Sequence, residues 1–413
     1  MKICFIGGLY YSDDYAVELQ SDSPTMINIA AHKFQWNLIK GLDCHFPGEI
    51  TILTNIFVGS FPHNLRKIFV KGKKWSHDKF ARDKSFAFIN LPIIKPLNKM
   101  VNVLFGLVNW CYENRAEQKV VIVYSLYSPF IIPCVLLKKI CSNTKICLVV
   151  PDLPNNMYID ANTPIFNKFK QFFNTKITKL LIKYADSFVF LTESMNNLLN
   201  KKRVPYIVVE GIVDVEDANT FVDYQMLSND ILYTGALFTK YGIIELLEAF
   251  VKTSYFGKFI VCGGGEKECI DKIMALEKKD ERIEYKGIVN REQALLFQKN
   301  AGILVNPRND LHEFTKYSFP SKTMEYLLTG KPVVMFKLAG VSEEYSDYIY
   351  YPDRPTYSSF VDKLIEVSGI TVQEKVARSI KTLEFLEKNK SVDAQGFKLV
   401  KLFTTLFTSE KRL

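Results

Sequence analysis

The residues best suited to chemistry in this chain lie between positions 306 and 333. Asn306-Pro307-Arg308 leads through a polar loop to Tyr317-Ser318-Phe319-Pro320-Ser321-Lys322-Thr323-Met324-Glu325-Tyr326-Leu327-Leu328, followed by Thr329-Gly330-Lys331-Pro332-Val333. The order of residue types predicts a loop, a helix whose first turn is Ser321-Lys322-Thr323, a glycine stop and a strand. Free backbone N–H groups at such a helix start, with Lys322 beside them, make a site for phosphate. Ser321 and Glu325 are four residues apart and share one helix face. An ionised carboxylate there only accepts hydrogen bonds and can take two hydroxyl donors at once.

Three smaller signals accompany this block. Gly7-Gly8 follows the first apolar run, where a missing side chain serves either a tight turn or the approach of backbone amides to a phosphate or sugar. Asp152 stands just beyond Leu148-Val149-Val150 and either caps the next turn or orients a hydroxyl group. Gly263-Gly264-Gly265 is incomplete as a dinucleotide fingerprint and reads as a strand-to-helix turn.

Other chemistry is excluded by residue type and spacing. The five histidines show no metal-ligand spacing, and the eight cysteines form no Cys-x-x-Cys pair, so no bound metal is expected. Most cysteines sit inside apolar runs, as small buried hydrophobes do in a reducing cytoplasm. The opening Met1-Lys2-Ile3-Cys4-Phe5-Ile6-Gly7-Gly8 is too short an apolar run for a signal peptide. The most apolar window, Val120 to Leu137, is interrupted by Ser125, Ser128, Pro129 and Pro133, which predicts a strand, a turn and a helix rather than a membrane span.

At 413 residues the chain exceeds what one core usually supports, and 48% hydrophobic with 23% charged residues is an ordinary globular composition. Short apolar runs alternate with amphipathic stretches, the pattern of parallel sheets flanked by helices. Strands are expected at Ile3–Ile6, Ile50–Leu53, Phe86–Ile89, Val120–Tyr124, Lys145–Val150 and Ser187–Leu191. Intervening helices are expected near Ile27–Leu42, Lys99–Asn114, Phe130–Ile140 and Ile165–Tyr184. A second series runs Asp230–Tyr233, Phe259–Cys262, Ile283–Tyr285, Ile303–Val305 and Val333–Phe336, with helices near Ile243–Val251, Glu266–Lys278, Arg291–Asn300 and Ser321–Leu328.

The fold class is therefore α/β, with two Rossmann-like, doubly wound parallel-sheet domains: an amino-terminal domain over 1–213 and a second over 214–371. Apolar periodicity fades near Val213–Ser228, and a helical segment over 372–413 is expected to brace the two. Such domains bind ligands at the carboxyl ends of their strands, so a cleft between them is the expected active site.

Charge is unevenly placed. Residues 1–213 carry 26 Lys and Arg against 15 Asp and Glu, whereas the remainder carries 27 against 29. An asymmetry of this size points to an anionic partner for the first half. Its basic, aromatic stretches are Arg66–Lys84, with Phe69, Trp75 and Phe80 interleaved, and Ile165–Tyr184, with Phe166, Phe169, Phe172 and Phe173. No nucleic-acid-binding module accompanies them, which leaves an anionic membrane surface as the expected partner.

The block at 306–333 resembles the retaining GT-B glycosyltransferases of family 4, especially those of bacterial capsule and exopolysaccharide assembly. Tyr233-Thr234-Gly235-Ala236-Leu237, with Tyr241-Gly242-Ile243 and Leu246-Leu247-Glu248-Ala249-Phe250, looks like the opening of that family's donor domain. Val261-Cys262-Gly263-Gly264-Gly265-Glu266 and Tyr285-Lys286-Gly287-Ile288-Val289 look like its next strand ends. The resemblance is specific over roughly 230–335. Over 1–212 it is carried only by Gly7-Gly8, Pro151-Asp152-Leu153-Pro154 and Asp186-Ser187-Phe188-Val189.

By resemblance, Glu325 is the second glutamate of the family's E-x7-E motif and accepts the ribose hydroxyls of a donor nucleotide. Lys322 and the Ser321 backbone meet its diphosphate, Gly235 and Ile288 lie at strand ends against the donor, Gly8 faces it from the first domain, and Asp152 faces the acceptor. This chain departs from the pattern in several places. Tyr317 stands where the first glutamate belongs, with Glu313 nearby. The family's phosphate-binding Arg and Lys fall on Ala236 and Tyr241, leaving Lys240 and Arg308 as the available cations. Pro151 replaces the usual histidine before Asp152.

The function so implied is transfer of a sugar, with retention, from a nucleotide-sugar, in particular a UDP-sugar. The acceptor is a saccharide, in particular a lipid-linked one, in cell-surface polysaccharide synthesis at the inner face of the membrane. No cofactor or metal is required. Two alternatives stand beside it: a degenerate GT-B subunit that only binds a partner transferase or a saccharide, and a nucleotide-sugar 2-epimerase.

Overall fold

The computed structural model describes residues 1–24, 27–141, 143–153, 165–214 and 228–408, and the side chains of 165–171 lie outside that description. Two compact units result, one of Met1–Ile212 with Val392–Leu413 and one of Val213–Ser391. Most of the expected boundary near Val213–Ser228, Pro154, and the side chains of Phe166, Lys168, Phe169 and Lys170 fall outside the described residues.

The first unit opens with β1 (Lys2–Gly7), α1 (Asp13–Ser21) and α2 (Ile29–Asp43). Polar caps start both helices: Tyr15 N–H donates to Ser12 Oγ and Ala31 N–H to Asn28 Oδ1, which satisfies amides that have no partner within the helix. Next come β2 (Ile50–Thr54) and four short strands, β3 (Phe69–Val70), β4 (Lys73–Trp75), β5 (Asp83–Ser85) and β6 (Phe88–Ile89). The βα alternation then runs through α3 (Ile94–Glu113), β7 (Lys119–Tyr124), α4 (Ser128–Ile140) and β8 (Thr144–Val150). It ends with α5 (Ile165–Leu181), β9 (Ser187–Phe190), α6 (Glu193–Leu199) and β10 (Tyr206–Val208).

These strands form an eight-stranded sheet in the order β10-β9-β8-β7-β1-β2-β5-β4, parallel except where β4 pairs antiparallel with β5. Its central strands are apolar almost throughout because helices cover both faces. Of the strand expected at Phe86–Ile89 only Phe88–Ile89 forms, paired with β3 in a separate two-stranded ribbon, while the preceding Asp83–Ser85 joins the large sheet. α3 begins five residues before its expected start, since Pro96 falls in the first turn, where a missing N–H costs no hydrogen bond.

The second unit is a smaller and wholly parallel copy of the same plan. It contains β11 (Ile231–Thr234), α7 (Ile243–Phe250), β12 (Phe259–Cys262), α8 (Lys267–Glu277), β13 (Ile283–Tyr285) and α9 (Arg291–Asn300). β14 (Ile303–Asn306), α10 (Ser321–Leu328), β15 (Val333–Met335), α11 (Tyr357–Ser368) and α12 (Val372–Lys390) follow. The sheet order is β13-β12-β11-β14-β15.

The last helix, α13 (Val392–Thr408), returns to the first unit, where Leu399, Leu402, Phe403 and Leu406 join the core beneath α2 and β1. Gly41 and Gly396 let α2 and α13 meet backbone to backbone; a Cβ on Gly396 would fall 2.0 Å from the Gly41 oxygen. The segment expected as one brace over 372–413 is thus two helices with different allegiances. α12 packs on α10 within the second unit, Val213 N–H donates to Lys390 O at 2.9 Å, and the division falls at Ser391. Helical spacing alone does not record which core each apolar stripe faces.

Candidate functional site

In the second sheet, β11 continues to β12 and β13 on one side, while β14 and β15 lie on the other. The strand order therefore reverses between β11 and β14, the place where open α/β sheets bind ligands outside the carboxyl ends of their strands. Gly235 through Tyr241 leave the end of β11, and Pro307-Arg308 leave the end of β14.

The loop after β11 is built by close backbone approach. Gly235 N–H donates to Cys262 O at 3.0 Å, Leu237 N–H to Gly264 O at 3.0 Å and Glu266 N–H to Leu237 O at 2.8 Å. Gly263 has φ +149°, and a Cβ there would lie 1.8 Å from Gly235 O, so glycine is required. The triple glycine thus serves this backbone contact and the turn into α8.

α10 is held to the end of β11 by its own tyrosine. Tyr326, 1% exposed, accepts from Thr234 N–H at 2.8 Å and donates to Thr234 O at 3.1 Å. The neighbouring residue, Glu325, thereby comes to the strand end with its carboxylate half-exposed. Gln298 on α9 is fully buried and donates through Nε2 to Glu325 Oε1 at 2.5 Å and to Thr234 Oγ1 at 3.2 Å. Lys322 Nζ lies 3.1 Å from both oxygens of the same carboxylate. Lys322 and Glu325 are thus brought together as an ion pair one helical turn apart. Ser321 is exposed in the first turn of α10, whose start carries no side-chain cap.

The remaining cations converge on an aromatic platform. Lys240 Nζ stands 5.4–5.7 Å from the rings of Phe238, Tyr241 and Phe314, and the Arg308 guanidinium lies 4.4 Å from Phe314 and 5.7 Å from Tyr241. Arg308 also donates to Ser318 Oγ at 2.6 Å. The short 3₁₀ segment Glu313–Tyr317 supplies Phe314 and ends in half-buried Tyr317, while Glu313 is exposed at its start. Ile288, 70% exposed, projects beyond β13 against Gly264.

Gly8 and Asp152 belong to the first unit. Gly8 N–H donates to Gln35 Oε1 at 2.9 Å, and a Cβ at Gly8 would lie 2.2 Å from the Phe57 ring. The Gly7-Gly8 turn is therefore packed by protein, its amide directed to α2 and not outward. Tyr10 N–H likewise donates to His32 Nδ1 and Tyr10 O accepts from Trp36 Nε1, both at 3.2 Å. Asp152 is exposed just past β8; burial first, and then its negative charge, push the Tyr124 phenol well above the ordinary range.

Sequence spacing gave no sign of Gln298 or Phe314, and Thr234, Tyr241 and Tyr326 stood in the quoted stretches without the roles they take here. The one available hint was a glutamine four residues after Ala294 on the inward face of α9, where an apolar residue is ordinarily found. Among the described residues no group of three or more His, Cys, Asp or Glu side chains is arranged to hold a metal ion. No helix among them is long and apolar enough to cross a membrane.

Two Rossmann-like units with this strand order define the GT-B class of fold. Residues 225–379, within the second unit, match the family Glycosyl transferases group 1. Similar solved structures span both units. Sucrose-phosphate synthase from Thermosynechococcus elongatus superimposes with a TM-score of 0.64 at 11% identity, covering 99% of this chain and 100% of that one. The α,α-trehalose 6-phosphate synthase of Burkholderia multivorans gives 0.62 at 10% identity, covering 99% and 98%. The Anabaena protein HepE in complex with UDP gives 0.56 at 12% identity, covering 98% and 100%. No curated protein sequence matches the chain.

Proposed function

We propose that the protein transfers a glycosyl group, with retention, from a nucleoside diphosphate sugar, UDP-linked, to a saccharide acceptor carried on a lipid. The observation that carries this reading is the convergence of Lys240 and Arg308 on Phe314 at the switch point between β11 and β14, beside the oriented carboxylate of Glu325. Two cations over one platform suit a diphosphate, whose charge grows as it leaves. A half-exposed carboxylate with one oxygen fixed by Gln298 retains lone pairs for ribose hydroxyls. The group 1 domain match supports a transferase, and the UDP complex of a protein of the same fold supports the base.

In this reading Lys240 and Arg308, rather than Lys322, meet the diphosphate, because Lys322 is committed to Glu325. Ser321 offers backbone at the start of α10, Gly235 leaves the donor side-chain-free room at the end of β11, Ile288 and Tyr317 flank them, and Asp152 of the first unit orients the acceptor hydroxyl. Transfer needs no metal when fixed cations and amides stabilise the leaving group. The test is thermal unfolding of the whole chain with UDP, ADP, GDP and uridine, together with release of UDP from UDP-sugars. UDP at a hundredfold excess over its Kd should stabilise the protein by about 2.7 kcal/mol. If no nucleoside diphosphate moves the midpoint, the reading fails. Binding without release of UDP in the presence of a lipid-linked saccharide would favour a subunit that only binds.

A further inference from the structure

Helix α3 is apolar on two opposite faces, and only one of them has a partner. Inward, Val103, Leu107 and Trp110 pack into the first unit, and Gly106 sits against Phe86 and Leu53. Outward, Ile94, Leu97, Val101, Phe105, Val108 and Tyr112 are 39–71% exposed. Their spacing of three and four residues confines them to one stripe that runs the length of the helix. Asn109 and Glu113 are the only other exposed residues of α3. Both its lysines turn inward: Lys95 Nζ donates to Val58 O at 3.0 Å, and Lys99 Nζ to Ile56 O at 2.6 Å. The exposed stripe is therefore free of positive charge along its own length.

The stripe continues sideways. β6 lies along α3, with Ile89 N–H donating to Asn98 Oδ1 at 3.0 Å, and the cross-strand pair Phe69 and Ile89 is exposed beside it. α4 packs on the other flank and adds exposed Leu136 and Ile140. Cations border this apolar surface: Arg66 and Lys71 on either side of β3, and Lys139 at the end of α4, are all exposed. Next to α4, α5 exposes Phe172, Phe173 and Leu180 together with Lys176 and Lys179, and the 3₁₀ turn Ile182–Tyr184 that follows adds exposed Lys183.

We infer that α3 is the element that seats this protein on an anionic phospholipid bilayer, lying in the interface plane with its stripe among the acyl chains and the bordering cations at the headgroups. An uncharged apolar stripe ringed by Lys and Arg has the chemistry of an interfacial helix. The excess of cations in residues 1–213 opposes a second copy of the same face, because two basic rims would meet. Arg66 and Lys71 of the first basic stretch and Lys176, Lys179 and Lys183 of the second become part of the electrostatic border of this surface. Trp75 packs against Trp36 and His77, so it belongs to the interior of the unit.

The experiment is co-sedimentation of the full chain with vesicles of phosphatidylglycerol or of phosphatidylcholine, comparing the wild type with Val101→Glu/Phe105→Glu and with the control Asn109→Glu. The wild type and the control should sediment with the anionic vesicles at least tenfold more than with the neutral ones. The double variant should lose that binding while keeping its unfolding midpoint and its response to UDP. In Phe105→Trp, the indole emission should move to shorter wavelength on addition of anionic vesicles and be quenched by brominated acyl chains. Equal sedimentation of wild type and double variant, or no emission change, would overturn the inference. So would a wild type that is dimeric in solution and ignores vesicles while the double variant is monomeric. Because the UDP response is recorded separately, loss of membrane binding and failure of the donor-site reading are distinguishable.

Discussion

Gln298 and Glu325, 27 residues apart on α9 and α10, are joined by a hydrogen bond of 2.5 Å from a fully buried amide to a half-exposed carboxylate. The amide fixes one carboxylate oxygen from behind, so the rotamer of Glu325 is set by the core. Glu325→Ala should weaken UDP binding roughly ten- to hundredfold, the loss of charge-assisted hydrogen bonds worth about 1.5–3 kcal/mol. Gln298→Leu should weaken it about tenfold by releasing the carboxylate. Calorimetric titration with UDP checks both, and unchanged affinity in the folded Glu325→Ala variant removes this carboxylate from the site.

The cations separate into two roles. Lys240→Ala and Arg308→Ala should lose progressively more affinity from uridine to UMP to UDP. Lys322→Ala should lower the affinity for uridine and UDP by the same factor, since it acts through Glu325. A phosphate-dependent loss for Lys322, with none for Lys240 and Arg308, would reverse the assignment.

In the first unit, His77 is buried between Asp83, whose Oδ2 accepts from Nδ1 at 2.6 Å, and Asp43, whose Oδ1 accepts from Nε2 at 3.3 Å. Burial works to lower the imidazole pKa, but the hydrogen bonds and charges of Asp43 and Asp83 together outweigh it and raise it to about 9. The folded value lies above the unfolded one, so the cation stabilises fully below about pH 6.5, and this contribution is lost as the pH rises through 9. His77→Ala should cost about 3 kcal/mol at pH 6 and leave Asp83 buried without its cation. Unfolding scans at pH 6 and pH 9.5 should show the gap between wild type and variant narrowing; an equal gap at both would count against a charged His77.

Lys331 has the opposite sign. It is 3% exposed, Nζ has no hydrogen-bond partner among the described residues, and burial, then the charge of Lys299, lower its pKa to about 8. A folded value below the unfolded one makes the ammonium a penalty below pH 8, relieved as the pH rises toward the ordinary lysine range. Lys331→Met should therefore stabilise the protein at pH 7, by on the order of 2 kcal/mol. Chemical denaturation at pH 7 and pH 10 should show the gain shrinking at the higher pH.

The amino-acid order alone determined that two parallel-sheet units follow one another, because apolar runs buried on both faces alternate with amphipathic stretches. α9 at Arg291–Asn300 and α10 at Ser321–Leu328 fall where residue spacing places them, and Glu325 is found by its position on α10. Only tertiary structure decided the rest. α12 and α13 carry similar helical spacing, yet one faces the second core and the other the first, since a stripe records periodicity and not its partner. Lys322 follows the helix start as a phosphate ligand should, but a carboxylate one turn away holds it. Gln298, Tyr326 and Phe314 meet Glu325, Thr234 and Lys240 across 27, 92 and 74 positions of sequence, which no local pattern encodes. Both the outward stripe and the buried face of α3 carry Val and Leu at helical spacing; which of the two is left bare depends on the sheet it packs against.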